Sequence, residues 1–115
     1  MSKDFVRWGA EHLVRRGGKA GRKFWSHECP HVIAHGGLFH LLTTQRYTGR
    51  PKTSVFCSAD PLDFGIDDDA TLLGTLPVAA PEVLRHKGRL VIAALTPALD
   101  GIRIAPLRWA QANRN

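Results

Sequence analysis

The run R-L-V-I-A-A-L-T from Arg89 to Thr96 is apolar on both alternating sides of an extended chain, the pattern of a strand covered on two faces. Asp100-Gly101 follows as a turn signal, and I-R-I-A-P-L from Ile102 to Leu107 supplies a partner. Residues 89–107 therefore read as a buried antiparallel hairpin. Leu90, Ile92 and Ala94 face one way and Val91, Ala93 and Leu95 the other, both sides covered. Pro106 has no amide donor, which puts the second strand at an edge or ends it there.

Around that hairpin the pattern is mixed. At helical spacing, Phe5, Val6, Gly9, Ala10, Leu13 and Val14 fall on one half of a wheel and Arg7, Glu11, His12 and Arg15 on the other, which predicts an amphipathic helix over residues 4–16. Ser2 or Asp4 caps its start, and Gly17-Gly18 ends it. Residues 17–25 form a glycine-rich basic connector. Val32 and Ile33 mark a short extended piece, and residues 38–58 hold strands, the clearer being Thr53 to Ser58 between Arg50-Pro51 and Asp60-Pro61. Residues 60–69 are an acidic loop, and Pro81 to Lys87, with Pro first and Gly88 after, predicts a two-turn helix. The expected fold is α+β: one domain, a mainly antiparallel sheet of three to five strands, and the N-terminal helix packed on it.

A chain of 115 residues supports one hydrophobic core. Its longest apolar run, Leu90 to Leu95, is far short of the roughly 20 residues of a membrane helix. The start, Met1-Ser2-Lys3-Asp4, has no apolar leader, so a cytoplasmic location is expected, with Cys29 and Cys57 as reduced thiols.

Charge carries the functional reading. Sixteen Lys and Arg against ten Asp and Glu give +6, and the cations lie towards the ends. Pro61 to Ala80 holds no Lys or Arg but has Asp63, Asp67, Asp68 and Asp69. Arg15, Arg16, Lys19, Arg22 and Lys23 crowd the connector beside Phe24-Trp25, with glycines that let a backbone approach phosphate and rings that stack on bases. Trp8 projects on the charged side of the expected helix and joins Trp25 as a candidate contact. This patch points to nucleic acid or a nucleoprotein complex as partner, read without sequence specificity, because no recognition helix, zinc-finger spacing or RNP motif is present.

A second constellation is His27, Cys29, His31, His35 and His40, with Cys57 further on. Imidazole and thiolate are zinc ligands, and His27, Cys29, His31, His35 and Cys57 form the candidate set, although neither C-x-x-C nor H-E-x-x-H occurs. Two of these histidines with Arg46 or Arg50 would also suffice to cleave a phosphodiester. The deaminase signature, the G-x-S-x-G elbow and a phosphate loop at Gly18 to Lys23 are all missing.

The sequence thus favours a small non-catalytic protein that engages nucleic acid or a nucleoprotein machine, with no membrane partner and no required cofactor. Motif-poor accessory factors of phages and plasmids, including anti-CRISPR-like inhibitors of host defence, are of this kind. The alternative is a small histidine-cluster or zinc-dependent hydrolase or nuclease. The oligomeric state is not legible.

Overall fold

A computed structural model describes residues 9–109. It is built of strands: β1 (Glu28–His35), β2 (Leu38–Arg46), β3 (Lys52–Ser58), β4 (Leu72–Leu76), β5 (Glu82–His86), β6 (Arg89–Leu95) and β7 (Ile102–Pro106), with a single 3-10 turn at Gly18–Ala20. Pairing is antiparallel throughout, and each strand pairs with its neighbour in sequence: β1-β2-β3-β4 make one sheet and β5-β6-β7 a second.

The first hairpin of each sheet turns in the same manner. Gly36-Gly37 joins β1 to β2 and Lys87-Gly88 joins β5 to β6, all four residues at positive φ. Two-residue turns of that hand match the twist of the strands they join. The sequences agree as well: P-H-V-I-A-H-G-G-L-F from Pro30 recurs as P-E-V-L-R-H-K-G-R-L from Pro81, with Pro, Val, His and the second turn Gly in register.

One core lies between the sheets, where Leu42, Val83 and Leu90 are buried and Ile33, Val55, Leu76, Ile92, Leu107 and Trp109 pack around them. Thr44 and Thr53, both 0% exposed, tie the β4–β5 connection to the first sheet. Their hydroxyls bond each other at 2.9 Å, Thr53 donates to the Val78 carbonyl and the Ala80 amide donates to Thr44. These bonds satisfy polar groups that would otherwise be costly to bury. A second core covers the other side of the first sheet: Leu41, Phe56 and Phe64, with Val14, Phe39 and Leu72.

The α+β expectation is overturned: the protein is nearly all β, in two sheets. The predicted helix over residues 4–16 falls partly outside the described residues, and its described part is not helical. The Phe64 amide donates to Val14 O, that of Arg16 to Gly65 O and that of Asp67 to Arg16 O, while Arg16 bridges Ile66 in parallel. A loop that supplies partners to this backbone outcompetes a short helix containing Gly9 and Val14. The helix expected at Pro81 to Lys87 is β5. Its Pro start and Gly stop are the lead-in and tight turn of a hairpin, signals the two structures share.

The hairpin at residues 89–107 forms as expected, but only one of its faces is covered. Leu90 and Ala94 are buried towards the first sheet, whereas Ile102 (69% exposed) and Ile104 (64%), paired with Leu95 and Ala93, leave the outer face open.

Candidate functional site

β1 and β5 run side by side in the same direction. The Val83 amide donates to His31 Nε2 at 3.0 Å, and further along the strands Arg85 Nη2 donates to Ala34 O at 3.0 Å and to His35 Nδ1 at 3.3 Å. Both strands therefore begin at the same end of the stack, and each begins with a glutamate, Glu28 and Glu82.

The start of β1 is irregular. Its register against β2 jumps from Glu28↔Thr44 to His31↔Leu42, leaving one residue too many, and Cys29 sits in the left-handed region at φ 48°. Bulges re-aim side chains, and a left-handed residue other than Gly costs about 1–3 kcal/mol, a cost that clusters at functional sites. Cys29 Sγ lies 3.2 Å from the Tyr47 hydroxyl. Burial, then the Cys29 thiol and the Glu28 carboxylate, push the Tyr47 phenol above its ordinary 10.0, so it stays protonated and able to donate.

Beneath the bulge a buried polar network fixes the approach to β1. Gln45 Nε2 donates to Ser26 O at 2.8 Å and to Thr43 Oγ1 at 3.0 Å, while Gln45 Oε1 accepts from Ser54 Oγ at 2.7 Å. His27 Nδ1 lies 2.8 Å from Thr43 Oγ1, and the Lys23 amide donates to Ser26 Oγ. Residues 23–26 are thereby held as a tight turn that projects Phe24 (87% exposed) and Trp25 (46%) outward. Their rings meet edge to face at 4.6 Å, and the Lys23 ammonium lies 5.9 Å from the Trp25 ring centre.

The residues expected at a basic binding surface divide. Arg15 is buried and donates to Phe64 O, Gly65 O, Gly17 O and Asp68 O, with Asp69 Oδ1 at 3.2 Å. Arg16 and Arg22 pair with Asp67 at 3.0 and 3.3 Å, and the Lys19 amide bonds Asp69. The Arg16 bond holds the Asp67 carboxyl below its ordinary range. The basic connector and the acidic loop thus bind each other, so closely that a Cβ on Gly17 would come within 2.9 Å of the Asp67 Cα. Lys19, Lys23 and Trp25 keep exposed side-chain surface, and Trp8 lies outside the described residues.

The expected zinc ligands lie apart. His31 and His35 look towards the second sheet from β1, Cys29 is on the bulge, His27 lies beside Phe56, and Cys57 is on β3. Among the described residues no three His, Cys, Asp or Glu side chains gather as a metal site. Glu28, Tyr47 and Glu82 were not sequence candidates. The Pro-x-Val repeat, which marks the first strand of each sheet and places a glutamate near each Pro, was the signal for the two glutamates.

His27 Nε2 and His40 Nδ1 are buried without a partner among the described residues. Burial, helped by the Arg15 charge, pushes His27 below its ordinary 6.5 against the opposing pull of Gly17 and Asp69. Burial and His35 lower His40, against a backbone bond at Ile33. Both rings titrate near 6.5 when unfolded, so the folded state binds fewer protons there. The stability contributed is complete above about pH 6.5 and is lost as pH falls from there towards the folded values. The melting temperature should therefore drop between about pH 7.5 and pH 5, and His40→Leu should flatten that drop. A constant melting temperature over this window would show that these rings do not oppose protonation.

No family model matches the chain, and no curated protein sequence matches it. A solved structure does: an exo-1,5-α-L-arabinanase from a bovine ruminal metagenomic library, with a TM-score of 0.59 at 15% identity, over 90% of this chain and 42% of that one. The chain spans less than half the length of that protein, and the likeness is one of fold.

Proposed function

We propose that the end of the stack where β1 and β5 begin is a carbohydrate site, of the class that acts on glycosidic linkages. The observation that carries it is the bulge at the start of β1, which sets Glu28 and the neighbouring Cys29–Tyr47 contact at the end where the exposed rings of Phe24 and Trp25 project. Glycoside hydrolysis uses a pair of carboxyl groups about the glycosidic bond, of which Glu28 offers one; Glu82, paired with Ala93, faces the outer side of the second sheet. Tyr47, whose hydroxyl lies 3.2 Å from Cys29 Sγ, adds a polar group at that end. Trp25 and Phe24 offer flat apolar faces nearby for a sugar ring.

The arabinanase likeness supplies the first probe, a 1,5-α-L-arabino-oligosaccharide. Titration should show saturable binding, and Glu28→Gln should weaken it roughly tenfold or more while leaving the melting temperature within a few degrees. Absence of saturable binding, or unchanged binding in Glu28→Gln, would sink the reading.

A second reading, single-stranded nucleic acid on Lys19, Lys23, Phe24 and Trp25, is favoured by the Lys23 ammonium over the Trp25 ring. Salt separates the two. Nucleic-acid affinity falls steeply with salt through counterion release, whereas affinity for a neutral sugar does not.

A further inference from the structure

At the opposite end of β1 and β5, the sheets part into an open cleft of about 530 Å³ lined by His35, Arg85, Arg89, Arg108 and Trp109, with the turn glycine Gly88 on its rim. We propose that this cleft binds a phosphate-type dianion, either inorganic phosphate or the phosphoryl group of a monoester. It is independent of the carbohydrate reading, since β1 alone separates the two ends by roughly 20 Å at strand rise.

The arginines of the described residues fall into distinct groups. Arg15, Arg16 and Arg22 all reach the carboxylates of Asp67 or Asp69. Arg85, Arg89 and Arg108 come from three separate elements, β5, β6 and the segment after β7, and converge on one concavity. Among the described residues, none of the three has a carboxylate within ion-pair distance. Like charges gathered without a counter-charge repel each other, and a bound anion turns that repulsion into attraction.

The cleft is also organised in advance. Arg85 Nη2 is held by Ala34 O and His35 Nδ1, which fixes the guanidinium plane and leaves its remaining N–H groups to point elsewhere. A guanidinium can only donate, so His35 Nδ1 accepts and neutral His35 carries its proton on Nε2, where it is a further donor. The Trp109 ring packs on His35 at 5.1 Å and edge-on to His40 at 4.5 Å, which holds the imidazole in place. Forked donors from several arginines suit a tetrahedral oxyanion with several acceptor oxygens better than a planar monocarboxylate.

The test follows the Gly88 amide and the Trp109 indole N–H by NMR while inorganic phosphate, then a phosphomonoester such as glycerol phosphate, is added at constant ionic strength. Both signals should shift saturably, with a dissociation constant below roughly 10 mM. Arg85→Gln should weaken binding about tenfold or more, as expected for loss of a charge-assisted bond. If Arg85→Gln fails to fold, the double change Arg89→Gln and Arg108→Gln, at exposed positions, carries the same expectation. Tighter binding of the ester than of phosphate would assign the site to a phosphorylated metabolite, and the reverse order to the free ion. Linear, non-saturating shifts, shifts centred instead on the basic surface of Arg46, Arg50 and Lys52, or unchanged affinity in both variants would overturn the proposal.

Discussion

Arg15→Ala should destabilise the protein by about 3–5 kcal/mol, read as a lowered urea midpoint with little change in slope. Arg15 is 7% exposed and stands at the centre of the contact between residues 14–19, a strap laid against the first sheet, and the acidic loop. Its guanidinium serves the carbonyls of Gly17, Phe64, Gly65 and Asp68 and the carboxylate of Asp69, and lies 4.2 Å from the centre of the Phe56 ring. Alanine would leave those acceptors facing a space too small to hydrate them well, and an acidic loop without its main counter-charge. An Arg15→Ala protein that unfolds within about 1 kcal/mol of the native one would mean that water replaces the side chain at little cost.

Phe56→Ala carries a similar expected loss, about 3–5 kcal/mol, from a different source. Phe56 is 1% exposed and packs with Leu41 and Phe64 on the side of the first sheet that the strap covers. Its loss combines transfer of a large ring to water with a cavity that β2 and β3, paired along their lengths, cannot close. Because the two side chains touch, the double variant Arg15→Ala/Phe56→Ala should lose less than the sum of the single losses. Strict additivity would show that the cation and the ring do not cooperate. Both side chains pack on the face of the first sheet opposite the core that holds Trp109, so the phosphate affinity of the Arg85 cleft should survive in whatever fraction remains folded.

Elements that depend on local alternation are legible in the sequence. β6 and β7 announce themselves through alternating apolar residues and Asp100-Gly101, and β3 through T-S-V-F-C-S between its prolines. What failed depends on partners distant in sequence. Val14 to Arg16 shows helical spacing, but its amides and carbonyls are claimed by Phe64, Gly65 and Asp67, and no local rule sees that claim. β5 was lost because a proline start and a glycine stop frame a helix and a hairpin arm alike. At the site, Trp25, His27 and Cys29 drew attention for stacking and metal, while Glu28 between them did not. Its place at the start of β1 depends on the bulge there, which is a matter of register with β2.

The meander has a bearing on how the chain finds this structure. Every strand pairs with the one before or after it, so each hairpin closes over a short stretch of chain and the loss of loop entropy comes in small steps, which favours quick formation. The clasp between residues 14–19 and 64–69 is different, because it joins segments on either side of three finished strands. Contacts of that span are rewarded only after the sheet between them exists, so the strap closes over an assembled meander. Its interactions then act mainly on how slowly the native state comes apart, and only weakly on how fast it is reached.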